Sequence, residues 1–169
     1  MADSKRLGVE SMRTIVKEPN QCSEIEIEKF IQLVVEGGEV STVGLRNRIK
    51  KAKNLIFIEQ DSQCVAIGAV KVPNLEYKNK VFMKAGVTQF TKFMHELGWI
   101  YVTEAARGKG HGRNLVFSAL RCIPGACFAT TREDNESMHK LFNEFKFSKA
   151  GKPYKSQSGD HQLVLYTKE

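Results

Sequence analysis

The sequence lacks any apolar stretch that approaches the length of a membrane span, and its first six residues are polar rather than basic and then apolar. We therefore expect a cytoplasmic protein that does not enter a membrane. A length of 169 residues with 41% hydrophobic content suits one ordinary globular domain. We expect residues 1–169 to form a single domain around one core.

Cysteine is scarce, and its spacing suggests no site. None of the cysteines forms a Cys-x-x-Cys pair, and no histidine stands at metal-ligand spacing from them; they are Cys22, Cys64, Cys122 and Cys127. This pattern predicts reduced, mostly buried thiols and no metal centre. No neighbouring feature marks any of them as a nucleophile.

Two common phosphate-binding motifs are also absent. There is no Gly-x4-Gly-Lys-Ser/Thr loop, and the dinucleotide pattern Gly-x-Gly-x-x-Gly fails because Arg113 stands where its third glycine belongs. What the chain does contain is Arg-x-x-Gly-x-Gly at residues 107–112. An uncharged run at 97–102 precedes it and predicts a buried strand, and helical periodicity at 115–123 follows.

A glycine-rich loop that opens a helix is suited to binding phosphate. Its glycines let the backbone approach a ligand closely, and the first N–H groups of a helix lack internal partners and carry the positive end of the helix dipole. Arg107, Lys109 and Arg113 add formal positive charge, and His111 can donate a further hydrogen bond. The loop therefore predicts an anion site.

Patterns along the rest of the chain predict the element order β α α β β β α β α β β. Ser23-x-x-Glu26 is a capping-box signature that opens the first helix. Residues 73–94 are the hardest to interpret; a short helix at 77–85 fits, and Tyr77 is among the side chains that this segment offers for contact with a ligand. The other expected elements are strands at 12–17, 54–59, 64–72, 126–130, 146–151 and 161–168, and helices at 42–51 and from Asn135 to Phe145.

This element order, the loop at 107–112 and the helix that begins at Asn135 together resemble the GNAT superfamily of acyl-CoA-dependent N-acetyltransferases. The resemblance implies an α/β (α+β) fold with a mixed central sheet of about six or seven strands flanked by about four helices. It also implies acetyl-CoA as the co-substrate and an amine as the acceptor. Members of this family are often dimers, so a homodimer is compatible with the resemblance, although no stretch of this chain demands one.

The same resemblance assigns the cofactor site. The backbone of Tyr101, Val102 and Thr103 would hold the pantetheine arm. The pyrophosphate would lie against Arg107, Gly108, Lys109, Gly110, His111, Gly112 and Arg113. Asn135 would approach the thioester end or the arm, and Lys140 would reach phosphate.

Acetyl transfer also needs a base, a polarised carbonyl and an acid. Glu96 is the first candidate for the base because it precedes Arg107 by eleven residues, a spacing similar to that of the glutamate base in the histone-acetylating branch. Glu104, next to the loop, is the second. A backbone N–H near Val102 would polarise the carbonyl. Phe142 replaces the tyrosine that many members use as the acid, so Tyr154 or water would supply that proton.

Several alternatives stay open at this point. The acceptor can be a protein or peptide amine, a small amine, or an aminoacyl group on RNA. The missing tyrosine also allows a non-catalytic CoA-binding module. A nucleic-acid-directed protein would use the acid-free basic stretch Arg46, Arg48, Lys50, Lys51 and Lys53, although such runs are usually solvated helix faces. The net charge of +7 mildly favours acidic or phosphorylated partners over polycationic ones.

Overall fold

The computed structural model describes residues 11–38 and 40–169 of the chain. The strands are β1 Met12–Lys17, β2 Asn54–Gln60, β3 Gln63–Lys71, β4 His95–Val102, β5 Cys127–Arg132, β6 Ser148–Lys155 and β7 Gln162–Lys168. The helices are α1 Glu24–Gly37, α2 Leu45–Lys50, α3 Leu75–Ala85, α4 His111–Arg121 and α5 Glu136–Glu144. All the strands join one sheet in the order β1-β2-β3-β4-β5-β7-β6. The pairing is antiparallel except between β4 and β5. The mixed sheet confirms the predicted fold class.

Capping residues explain where α1 and α3 begin. The Ser23 hydroxyl accepts the N–H of Glu26 at 3.1 Å, and the Glu26 carboxylate accepts the N–H of Ser23 at 2.9 Å, which is the reciprocal capping box that the sequence predicted. Helix α3 begins in the same way, because the Asn74 side chain accepts the N–H of Tyr77 at 2.7 Å. Both caps place a helix directly after an extended segment.

The helices cover the two faces of the sheet unequally. Helices α4 and α5 pack on one face, where Leu115 and Phe142 join the largest buried cluster. On the other face, α1 and α2 cover the first strands through residues such as Phe30, and α3 covers β5 and β7 through Phe82. Strand β4 lies between the strands that these two groups of helices cover, and α1 also packs against it.

Three elements differ in extent from the sequence-based expectation. Helix α3 forms where a short helix was only suggested, so the structure has five helices rather than about four. Helix α2 is limited to six residues. Strand β6 continues to Lys155 because an irregularity between Ala150 and Tyr154 accommodates Gly151 (φ 68°). Tyr154 therefore lies within a strand and not in the loop after it.

The structure shows the state of the cysteines and the character of the helices. All four cysteines are free; Cys127 is buried, whereas Cys22, Cys64 and Cys122 are half-buried, which is less burial than expected. Within residues 11–38 and 40–169, no helix has both the length and the apolar character needed to cross a bilayer.

The basic stretch around α2 is largely matched by partners within the protein. Arg46 forms ion pairs with Glu24 and Glu28 of α1, and Lys50 lies 3.6 Å from Glu24. Lys53 donates a hydrogen bond to a backbone carbonyl just after α4 at 2.7 Å. Exposed pairs of this kind add little stability. They do compensate the positive charge on which a nucleic-acid interface would depend.

Candidate active site

Strands β4 and β5 separate within the sheet. They pair only at His95–Cys127 and Glu96–Phe128, whereas β5 continues along β7 as far as Arg132. Beyond Glu96, the edge of β4 that faces β5 has no strand paired to it. Backbone N–H and C=O groups on such an edge are available to a ligand. The parting of these strands begins at the residue that the sequence nominated as the base.

A bulge in β4 sets the direction of the Trp99 side chain. Ala69 pairs with Gly98 and Ile67 with Tyr101, so β4 contains one residue more than β3 between these pairs. Trp99 lies in this bulge with a positive φ of 49°, which is rare for a bulky side chain. Its ring packs edge-on against Phe30 of α1, with the centroids 6.0 Å apart. The bulge thus turns the indole toward the α1 side of the sheet.

The glycine loop is open and ready for an anion. Gly108 and Gly110 have φ values of 78° and 82°, and a Cβ on either would meet no atom within 4 Å. The N–H of Asn114 donates to the Gly110 carbonyl at 3.1 Å and begins the helical bonding of α4. By helix geometry, the N–H groups of residues 111–113 therefore have no acceptor within the helix. The loop has the free N–H groups and the space that the sequence predicted.

The cationic side chains of the loop have protein partners. The Arg107 side chain folds back on the strand, where Nε donates to the Val102 carbonyl at 3.1 Å. Arg113 pairs with Glu144 of α5 at 2.9 Å. His111 is only 2% exposed, and neither ring nitrogen has a hydrogen-bond partner in the described part of the chain. Burial lowers the pKa of His111, and nearby Lys109 lowers it further, so what this residue presents to a ligand is its backbone N–H.

Helix α5 approaches the loop through a glycine contact. A Cβ on Gly112 would lie 3.1 Å from Cδ1 of Leu141, so glycine permits α4 and α5 to come close. The side-chain oxygen of Asn135 caps α5 by accepting the N–H of Met138 at 3.2 Å, while Lys140 is exposed on the same helix.

Glu96 lies in a buried cluster of polar and aromatic side chains where β4 and β5 part, and we call this cluster the pocket. It is 3% exposed, and its Oε1 accepts a hydrogen bond from the Tyr77 hydroxyl at 3.0 Å. Lys71 Nζ lies 3.3 Å from Oε2, close enough for an ion pair but without hydrogen-bond geometry, since Oε2 has no hydrogen-bond partner. The same ammonium lies 4.5 Å from the centroid of the Trp99 ring and 5.5 Å from that of Tyr77. A carboxylate, an ammonium and two aromatic rings thus meet at one point.

Tyr154 completes this pocket from β6. It is 8% exposed, and its hydroxyl has no hydrogen-bond partner among residues 11–38 and 40–169. Burial first, and then the charge of Glu96, raises the pKa of Tyr154 above its usual range. The same two causes raise the pKa of Tyr77, and the nearby side chain of Thr130 is a smaller influence in the opposite direction. Both phenols are therefore protonated at neutral pH.

The structure does not bring the two candidate bases together. Glu104 is exposed and begins a 3₁₀ turn after β4. Six residues of strand separate Glu96 from Val102, which at about 3.3 Å per residue is about 20 Å. Glu104 therefore lies near the phosphate loop, far from the pocket of Glu96. Phe142 is buried with its ring between those of Phe147 and Tyr166 at 5.1 and 4.8 Å, so no proton donor occupies that position.

Sequence reasoning missed Lys71, Trp99 and Thr130 as members of the pocket, and it named Tyr77 without a role. Lys71 is simply the polar end of an apolar strand in the sequence. Its pairing with Glu96 across β3 and β4 places both side chains on one face, which only the register reveals. Within the described ranges, no group of three His, Cys, Asp or Glu side chains is placed to hold a metal ion.

Comparisons with known proteins agree with this geometry. The sequence profile described as Acetyltransferase (GNAT) family matches residues 20–147. An acyl-CoA N-acyltransferase from Pseudomonas aeruginosa is similar with a TM-score of 0.66 and 14% identity, covering 94% of this chain and 100% of its own. Naa50 from Arabidopsis thaliana, solved in complex with the bisubstrate analogue CoA-Ac-MVNAL, has a TM-score of 0.66 and 14% identity, with coverages of 92% and 98%.

A GNAT family acetyltransferase from Bacillus cereus has a TM-score of 0.63 and 17% identity, covering 93% of this chain and 97% of its own. No curated protein matches the sequence. At these identities, the likeness to the solved structures is one of fold.

Proposed function

The chain belongs to the Acetyltransferase (GNAT) family, and from that premise we propose that it transfers an acetyl group from acetyl-CoA to a primary amine by direct attack of the amine. The observation that carries the proposal is the parting of β4 and β5 at Glu96, with an open helix N-terminus at the far end of the same strand. A cofactor laid along β4 would connect the two. Its thioester supplies the activated acetyl group.

The residues present fit such a cofactor. The unpaired edge of β4 suits the amide-rich arm, which the backbone of Tyr101 to Thr103 would hold. Of these groups, the Thr103 N–H already donates to the Val65 carbonyl at 2.9 Å, and the Arg107 side chain would have to release the Val102 carbonyl. The N–H groups of residues 108–112 suit the pyrophosphate, with charge from Arg107, Lys109 and Arg113. The Arg107 and Arg113 side chains have protein partners at the edge of the loop, and these partners would hold the two guanidinium groups near the pyrophosphate. Asn135 and Lys140 would close the site from α5.

We assign the base to Glu96 and the acid to Tyr154. Oε1 of Glu96 accepts a hydrogen bond from Tyr77, so the oxygen that we propose takes the proton of an acceptor amine is Oε2, which has no hydrogen bond but forms an ion pair with Lys71 at 3.3 Å. Tyr154 is protonated at neutral pH and is our proposed donor to the departing thiolate, although burial and the charge of Glu96 raise its pKa and make it a weaker acid than an exposed tyrosine. The backbone N–H near Val102, which the sequence suggested as the donor to the carbonyl oxygen, lies about 20 Å along β4 from Glu96 and is too far away to act together with this base. Glu104, being exposed and remote from the pocket, stays the weaker candidate.

The test is whether acetyl-CoA stabilises the protein through the loop. At about 100 times its dissociation constant, a ligand adds roughly 2.7 kcal/mol, which for a protein of this size raises Tm by about 5–10 °C. Gly110→Val should abolish the shift because the side chain would project into the open space of the loop. Gly44→Val is the matched control, since Gly44 also has a left-handed conformation (φ 65°) and caps a helix, and a Cβ on it would likewise meet no atom within 4 Å.

A shift in the wild type and in Gly44→Val, but not in Gly110→Val, together with release of CoA thiol on adding amines, supports the proposed function. Absence of a shift at millimolar acetyl-CoA contradicts it. A shift without thiol release across a broad panel of amines favours a non-catalytic CoA-binding module instead.

A further inference from the structure

The pocket around Glu96 contains more unsatisfied polar capacity than a base alone requires. The Lys71 side chain is 15% exposed, yet its ammonium donates no hydrogen bond to any residue in the described ranges. Oε2 of Glu96 and the hydroxyl of Tyr154 are buried without a hydrogen-bond partner. Buried polar groups are nearly always hydrogen-bonded in native proteins. Two buried oxygens without a hydrogen-bond partner, beside an ammonium whose only contact with them is an ion pair, indicate a polar ligand.

The charges of the pocket indicate what kind of ligand fits. Lys71 and Glu96 form a neutral pair whose positive and negative ends lie 3.3 Å apart. A ligand with only an ammonium group would be attracted to Glu96 but would bring a second cation close to Lys71. A ligand with only a negative group would meet Glu96. A ligand that carries both charges side by side can pair each with its opposite, because the pocket has the complementary dipole.

We propose that the acceptor is an amino carboxylate, a small molecule whose reacting amine has a carboxylate on the neighbouring carbon. This inference rests on the proposed acetyl transfer and names its acceptor class. Lys71 binds the carboxylate, and Oε2 of Glu96 receives the amine proton. In the transfer, the N–C bond forms as the C–S bond of the thioester breaks, and the departing thiolate receives a proton.

Glycine at position 98 allows Lys71 to hold this position. A Cβ at Gly98 would lie 2.7 Å from Cδ of Lys71, so the lysine stem runs directly over the backbone of β4. The Trp99 ring then fixes the ammonium from one side at 4.5 Å. Alanine at position 98 would displace the stem without removing the charge. Position 98 thus offers a second, independent way to perturb the same contact.

The experiment uses matched trios of acceptors with the full-length protein and acetyl-CoA. Each trio contains an amino acid, its amide and the amine left on removing the carboxylate, such as phenylalanine, phenylalaninamide and phenethylamine, or leucine, leucinamide and isoamylamine. The readout is the ratio of kcat/KM for the amino acid to that for the amine. In Lys71→Met this ratio should fall by about ten- to a hundredfold, the value of one charge-assisted hydrogen bond. A loss of base strength alone would lower both rates and leave the ratio unchanged.

Two further variants separate recognition from general damage. Gly98→Ala should also lower the ratio, since it moves the ammonium while preserving its charge. Lys80→Met should not change it, because Lys80 is an exposed lysine on α3 paired with Glu76 at 3.2 Å. Equal ratios in the wild type and Lys71→Met would overturn the proposal. So would equal turnover of the amide and the free acid, which would instead indicate a peptide amino terminus.

If no acceptor is turned over, calorimetric titration of phenylalanine and leucine into the protein with CoA measures whether an amino acid binds at the proposed acceptor site. Binding in the wild type that is lost in Lys71→Met would support the acceptor site even though the proposed catalysis had failed. Absence of binding in the wild type, with CoA binding intact, would overturn the acceptor site and leave the cofactor site standing.

Discussion

Substitutions at the buried pair of Lys71 and Glu96 should lower the free energy of unfolding by unequal amounts, and their effects should be coupled. The two side chains are 15% and 4% exposed, so Lys71 can swing its ammonium toward water if it loses its partner, whereas Glu96 cannot. Lys71→Met leaves a buried carboxylate without its counter-charge and should cost about 3 kcal/mol, within the range for breaking a buried pair. Glu96→Gln retains an oxygen for the hydrogen bond from Tyr77. It should cost only about 1–2 kcal/mol.

The double variant should cost less than the sum of the single ones. At 3.3 Å and an effective dielectric constant of about 20, the gross attraction is about 5 kcal/mol, of which desolvation cancels a large part. We therefore expect a coupling free energy of about 1.5–3 kcal/mol from urea unfolding of the four proteins.

The exposed pair of Lys80 and Glu76 supplies the control cycle. Its side chains are 54% and 81% exposed at a distance of 3.2 Å, so Lys80→Met and Glu76→Gln should couple by less than about 0.5 kcal/mol. Additive effects at Lys71 and Glu96, within the error found for this control, would refute the reasoning. They would mean that Tyr77 alone accounts for the burial of Glu96.

Glu96→Gln should lower turnover by roughly 10²–10⁴-fold with acetyl-CoA affinity nearly unchanged, and an unaltered pH–rate profile would remove Glu96 as the base. Tyr154→Phe should slow turnover yet leave stability at pH 7 unchanged or higher, because it deletes a buried hydroxyl without a partner. Since the folded pKa of Tyr154 is raised above its usual value near 10, stability is lost as pH rises past about 10, and urea unfolding at pH 7 and 11 should show a smaller loss in this variant. Gly112→Val should cost about 1–3 kcal/mol through overpacking on Leu141, and Leu141→Ala should recover part of it; purely additive effects would show that the α4–α5 contact is not tight.

Local signals in the sequence determined most of the elements and the glycine loop of the proposed cofactor site. The capping box at Ser23 and Glu26 starts α1, and the glycines of residues 107–112 start α4, because both depend on contacts between residues a few positions apart. The alternation and apolar runs of the strands likewise reflect which face is buried. The order of elements, and with it the fold class, followed from these short-range rules. The segment before β4 has little periodicity, so the sequence suggested α3 only as a short helix. This helix depends on its Asn74 cap and on packing against β5 and β7.

Only the tertiary structure brings together the side chains of the proposed acceptor site. Lys71, Tyr77, Glu96 and Tyr154 come from β3, α3, β4 and β6, and no spacing in the chain relates them. The choice of Glu96 over Glu104 depends on burial, and the place of the Trp99 ring depends on a one-residue bulge. Strand register and the parting of β4 from β5 set which side chains meet. Both arise from long-range pairing and packing, whose free energies are shared by residues far apart in the sequence.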